Sequence, residues 1–180
     1  MAQKSKTNFI NPYTLVEELG FKPGMSVADF GSGAGHWAMA IARSVGKEGK
    51  VHALDVRESV LQVLDGHIKM DGLFQIDTIP ADLEQEEGSG LPDSSQDVVL
   101  CSNILHQLKK PRAVIKEAHR TLKKGGKLII IDWEKDASLG PKDKISQEKA
   151  EKLAKEVGFK DKQKLEDIEE SMHYCLIFVK

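Results

Sequence analysis

Three glycines stand at alternate positions in Asp29-Phe30-Gly31-Ser32-Gly33-Ala34-Gly35, with an acid two residues before the first. Glycine tolerates positive φ and lets a ligand lie against bare backbone. A dinucleotide loop is spaced GxGxxG and aims helix amides at a pyrophosphate. Its third glycine would fall at His36 here. The observed GxGxG spacing, with Asp29 beside it, suits a ligand that brings positive charge rather than phosphate. The plain alternative is a tight strand-to-helix turn.

Asp55 comes 20 residues after Gly35 at the end of an apolar run, followed by Val56. A carboxylate there can accept from both hydroxyls of a ribose. Asp82 and Leu83 offer an acceptor for an adenine amino group and an apolar face for its ring; the alternative for Asp82 is a cap or turn acid. Ser102 and Asn103 open a polar stretch that runs to His106. His36 and His106 are the candidate general bases, since histidine titrates near neutrality, with a surface or packing histidine as the alternative for each. Trp133 and Glu134 stand where they could wall or read a second substrate, and Trp133 is otherwise plain packing. His52, His67, His119 and His173 read as structural or exposed. No Cys/His spacing suggests a metal site, and Cys101 and Cys175 read as inert core thiols.

The elements that must position these residues follow from periodicity. Asn11-Pro12 caps a helix with Leu15, Val16 and Leu19 on one face, Ile10 acting as a staple against Leu15. Strands are expected over Met25–Phe30, Lys50–Asp55, Phe74–Ile79, Asp97–Ser102, Lys127–Asp132 and His173–Val179, with a weak one at Lys160–Lys164. Alternating lysines there suit a sheet edge. Helices are expected over His36–Val45, Glu58–Met70, from Pro111 to a stop at Lys124-Gly125-Gly126, and from Ser146 to Gly158. The acidic, Gly/Ser-rich stretch 84–95 reads as a surface loop. Alternating strands and helices imply a parallel sheet covered on both faces. Ligands then bind at the carboxyl ends of the strands, after Phe30, Asp55, Ile79, Ser102 and Asp132.

A chain of 180 residues, 40% of them hydrophobic, suits one domain over residues 1–180, with residues 1–10 as a flexible polar arm. The net charge of −2 argues against a general nucleic-acid binder. There is no signal-peptide pattern and no membrane-length apolar run. With its unpaired cysteines, the chain reads as cytoplasmic.

Taken together, Val27–Gly35, Val51–Asp55, Asp97–His106 and Leu122–Asp132 resemble the motifs of class I S-adenosylmethionine-dependent methyltransferases. The nearest likeness is the small-molecule branch that includes quinone, sterol and arsenite methyltransferases. The closing segment, Gly158-Phe159 to Val179, resembles that family's antiparallel hairpin. The resemblance implies a Rossmann-like, doubly wound seven-stranded sheet of order 3-2-1-4-5-7-6, its last strand antiparallel. It also implies in-line methyl transfer from S-adenosylmethionine to a small-molecule acceptor. Asp29, Gly31, Ser32, Gly33, Gly35, Asp55, Val56, Asp82, Leu83, Ser102 and Asn103 would bind the cofactor. The chain lacks the Asn/Asp-Pro-Pro-Tyr of nucleobase and glutamine amino-methylation after the fourth strand, and the thiol set of an arsenite enzyme. Two other readings remain open: a non-catalytic cofactor-binding or scaffold protein, and a nicotinamide oxidoreductase. Oligomeric state and acceptor identity are not encoded in any motif.

Overall fold

The computed structural model describes residues 10–165 and 172–180; the expected arm at 1–10 lies outside this range except for Ile10, which packs against the core. Helix α1 (Pro12–Leu19) starts where Asn11 Oδ1 accepts from the Tyr13 N–H, and ends at Gly20 in the left-handed region. The chain then alternates through β1 (Ser26–Phe30), α2 (His36–Val45), β2 (Lys50–Asp55), α3 (Glu58–Asp71), β3 (Ile76–Pro80) and β4 (Gln96–Ser102). Next come a single 3-10 turn over 105–107, α4 (Pro111–Thr121), β5 (Leu122–Trp133), α5 (Gln147–Val157), β6 (Lys160–Lys164) and β7 (His173–Val179).

All strands form one sheet of order β3-β2-β1-β4-β5-β7-β6. β1 to β5 run parallel to one another, while β7 runs antiparallel to both β5 and β6. The α/β, doubly wound architecture read from the alternation is thus the one observed. Successive strand residues face opposite sides. Val27 of β1 enters the core beneath α1, α2 and α3 with Leu19, Ile41 and Leu64. Ala28 and Phe30 enter the other core, beneath α4 and α5, with Ile115 and Ala154. Cys101 and Cys175 are fully buried. Burial raises both thiols, Cys175 to about 12, so they are inert packing groups.

Two expectations are corrected. The α4 helix ends at Thr121, before the expected glycine stop. Its last carbonyls already have donors: Ser94 N–H to Arg120 O (3.1 Å) and Ser95 N–H to Thr121 O (2.8 Å). Leu122 can therefore turn straight into β5, pairing with Gln96 before the register shifts to Val98–Lys127. β3 starts at Ile76 rather than Phe74, because Gly72 and Leu73 are still closing α3 through donors to Ile68 O. The stretch 84–95 is the surface loop expected, and it is anchored. Ser89 and Leu91 are buried, and the Glu117 carboxylate of α4 accepts from the Ser89 N–H and hydroxyl. Arg120 completes the strap, donating to Glu117 and to Leu91 O. The polar composition hides this anchoring because its partners lie on α4. No helix among the described residues is long and apolar enough to cross a membrane.

Candidate functional site

Five adjacent parallel strands present their carboxyl ends on one edge, and the loops leaving them build the site. After β1 the chain folds back: the Gly31 and Ser32 N–H groups both donate to Leu54 O at 2.8 Å. Gly31 needs φ +79°, and a Cβ on it would collide with Ile104. Gly31, Asp55, Val56, Asp82, Leu83 and Ile104 are among the residues lining a cleft of about 320 Å3. Five of the eleven lining residues, Gly31, Asp55, Val56, Asp82 and Leu83, were expected from sequence. Val56 is 67% exposed in it, an apolar surface at the mouth.

Asp55 is the most heavily bonded residue of the cleft. Oδ2 accepts from the Gly33 N–H (2.9 Å) and Arg57 Nη2 (3.3 Å). Oδ1 accepts from the Arg57 N–H (2.9 Å) and Nε (3.1 Å). Burial works against its charge, but the donors from Arg57 and Gly33 outweigh burial and hold the carboxyl below its usual range. Asp82, two residues after β3, lines the same cleft. Its oxygens accept from the Glu84 N–H and Gln85 Nε2, and the Gln85 amide and Glu84 N–H lower its carboxyl. It is thus both a turn acid and a cleft residue.

At the carboxyl ends of β1, β4 and β5, four buried side-chain oxygens have no partner among the described residues: Asp29 Oδ2, Ser32 Oγ, Asn103 Oδ1 and Asp132 Oδ2. A buried polar atom left bare costs about 1–3 kcal/mol, so bare oxygens on three neighbouring strand ends point to a ligand along that edge. Asp29 is 1% exposed. Burial raises its carboxyl to about 7, opposed by the Ala38 N–H and reinforced by the charge of Asp55. Asn103 holds φ +53°, a conformation asparagine tolerates better than most residues. It is fixed by its N–H on Ile131 O (2.8 Å) and by Gln107 Nε2 on its own carbonyl (2.7 Å). Ser102 closes β4, paired with Ile131 of β5. These groups fit a ligand with an ammonium to donate, a carboxylate to receive and a nucleoside to lay along the cleft.

His106 follows on the 3-10 turn, its Nδ1 2.8 Å from Asp132 Oδ1. The other candidate base is not brought to this edge. His36 is exposed in a separate cleft with Tyr13, Met39, His67 and Met70, because the helix turn that starts at Gly35 points it toward α3. Gly35 is also reassigned: it holds φ +87°, and a Cβ on it would collide with Leu64, so its role is to pack α3. Trp133 is not an acceptor wall. It is buried, tilted against His173 with ring centroids 4.2 Å apart, and backed by Gly140. Burial lowers His173 to about 4, so that ring is neutral packing. Arg57, Ile104 and Asp132 were missed as site residues. For Asp132 a signal existed: like Asp55, it is an acid ending an apolar strand. No group of three or more His, Cys, Asp or Glu among the described residues is placed to hold a metal.

Residues 21–173 match the model of a methyltransferase domain family. The chain is 30% identical over 120 residues to a ubiquinone/menaquinone biosynthesis C-methyltransferase of Hydrogenovibrio crunogenus, covering 67% of this chain and 46% of that one. It is 29% identical over 126 residues to a demethylmenaquinone methyltransferase of Geobacillus stearothermophilus, covering 70% and 53%. The chain therefore spans about half the length of these curated relatives. Its fold superposes on a SAM-dependent methyltransferase from Aquifex aeolicus with a TM-score of 0.80 and 26% identity, covering 98% of this chain and 92% of that one. With the family model spanning most of the chain and the strand-tip cleft built as described, the chain belongs to the methyltransferase domain family, of the class I kind whose cofactor is S-adenosylmethionine.

Proposed function

We propose that the chain transfers a methyl group from S-adenosylmethionine to a small-molecule acceptor held over the tips of β4 and β5. The observation that carries this is the pairing of bare oxygens on Asp29, Ser32 and Asn103 with a ribose-type carboxylate, Asp55, at the other end of the loop. Bound S-adenosylmethionine supplies a methyl carbon on a sulfonium, already a good leaving group. Asp55, oriented by the Gly33 N–H, holds the sugar, with Val56 and Leu83 as apolar surface for the base and Asp82 as its acceptor. Asp29, Ser32 and Asn103 orient the ammonium end. Orientation can contribute up to about 7–11 kcal/mol toward the barrier, which is the main service such a site performs. The curated relatives act on quinone precursors by name, which supports a small aromatic acceptor over a macromolecule.

Titration calorimetry with S-adenosylmethionine and with its demethylated product tests the reading. Micromolar binding of both is expected. An absence of heat at millimolar cofactor, with nicotinamide dinucleotides equally silent, removes it.

A further inference from the structure

Two methionine sulfurs are already engaged. Met25 Sδ accepts from the Lys22 N–H at 3.4 Å, and Met172 Sδ from the Ser138 hydroxyl at 3.6 Å. The sulfurs of Met39 and Met70 accept nothing among the described residues. The histidines divide in the same way. His52 and His106 face Asp77 and Asp132, while His119 and His173 pack against Phe159 and Trp133. His36 and His67 have no hydrogen bond, ion pair or ring contact among the described residues. The two unengaged thioethers and the two unengaged imidazoles all line one cleft of about 230 Å3.

Their spacing explains the convergence. His36 and Met39 are three apart on α2, and His67 and Met70 repeat that spacing on α3. Residues so spaced share a helix face, with Cβ atoms about 5–6 Å apart. The helices lie alongside each other: Gly35, just before α2, abuts Leu64 of α3, and Arg43 of α2 pairs with Asp71, the last residue of α3. The two His-x-x-Met pairs therefore border the same seam. His36 and His67 are exposed, and Met70 is 83% exposed. Methionine is flexible, so these side chains can close on an ion by changing rotamer.

The donor set also selects the ion. Asp71, the carboxylate at this cleft, is committed to Arg43, which donates to the Tyr13 hydroxyl as well. What remains is two imidazoles and two thioethers, all without charge when they bind a metal. Thioethers select soft ions, and imidazole suits copper. Zinc is held instead by thiolate, imidazole and carboxylate. With no free carboxylate to balance a dication, the set favours a monovalent ion.

We infer, independently of the methyl-transfer reading, that His36, Met39, His67 and Met70 form a binding site for Cu(I) that bridges α2 and α3, distinct from the cofactor cleft. Each ligand contributes a lone pair, and the copper keeps its oxidation state.

Two measurements on the full chain, made anaerobically with reductant present, test the inference. In the first, protein is titrated into the coloured Cu(I)–bicinchoninate complex. It should withdraw one equivalent of copper, and excess Zn(II) should leave that transfer unchanged. Loss of a partner that merely supports a metal ligand costs about 10- to 100-fold in affinity. Met70→Leu and His67→Gln, which remove ligands from exposed positions and leave the core intact, should therefore each weaken Cu(I) binding at least about tenfold. The second measurement uses Ag(I), a redox-silent stand-in, and 1H–13C spectroscopy of the methionine methyls, assigned by Met39→Leu and Met70→Leu. At one equivalent the Met39 and Met70 signals should move while those of Met25 and Met172 stay. The inference is overturned if the protein takes no copper from bicinchoninate, or if Zn(II) displaces the bound ion. Affinity within about threefold of the parent in Met70→Leu or His67→Gln overturns it too, as does Ag(I) shifting Met25 and Met172 as far as Met39 and Met70.

Discussion

Replacing Asp29 with Asn separates folding from function, because the free protein holds this carboxyl near 7 instead of 3.8. The raised value means that the folded state keeps a proton the unfolded chain loses above about pH 4. Stability is therefore full below pH 4, falls as pH rises toward 7, and is flat above. Three pH units at about 1.4 kcal/mol each put the loss on the order of 4 kcal/mol. The Asn variant has no such loss. Its melting temperature should match the parent below about pH 4 and exceed it by roughly 8–16 °C at pH 8, at about 2–4 °C per kcal/mol for a chain of this size. Cofactor binding should move the other way. An ammonium beside Asp29 favours the ionised acid, so parent affinity should rise toward tenfold per unit from pH 5.5 to 7. One proton should be released, counted by calorimetry in buffers of different ionisation enthalpy. In Asp29→Asn the slope and the proton release should vanish, and affinity at pH 8 should fall about 10- to 150-fold, the worth of a hydrogen bond to a charged group. Flat parent affinity across that range, or a variant no more stable than the parent at pH 8, would refute the assignment.

Arg57 fills the outer lone pairs of Asp55, so it competes with a ribose. Its side chain is largely solvated, and such pairs are worth only about 0.2–1 kcal/mol. Arg57→Ala should tighten cofactor binding by about 1.5- to 5-fold in calorimetry; weaker binding would mean that Arg57 contacts the cofactor. Gly35→Ala forces a side chain into Leu64 at a positive φ and should destabilise the fold by about 2–4 kcal/mol in urea. Gly125→Ala, also at positive φ but with open space around it, should cost about 1–2 kcal/mol. Equal losses at the two positions would deny Gly35 its packing role.

The strand tips were legible because their signals are local. Asp29 leads an apolar run into the glycine loop and Asp55 ends the next apolar run 20 residues after Gly35, so spacing put them on one edge. What escaped was non-local or three-dimensional. His106 and Asp132 are joined only through the pairing of β4 with β5. The Ser89–Glu117–Arg120 strap ties a stretch of polar composition to a helix surface, and no period marks it. Gly35 and Gly31 look alike in the motif, yet one meets Leu64 of α3 and the other Ile104 of the β4 loop. His36 was misjudged because a glycine loop places the first helical residue by its φ angles, which spacing does not encode. The clasp of Arg57 on Asp55 depends on a rotamer.

The most direct measurement is a crystal structure with the demethylated cofactor bound, beside calorimetry on Asp55→Ala. The nucleoside should lie across the tips of β1, β2 and β4, with Asp55 freed from the Arg57 guanidinium and bonded to the sugar, and the variant should bind at least tenfold more weakly. A nucleoside bound elsewhere, Asp55 still clasped by Arg57, or unchanged affinity in the variant would contradict the account.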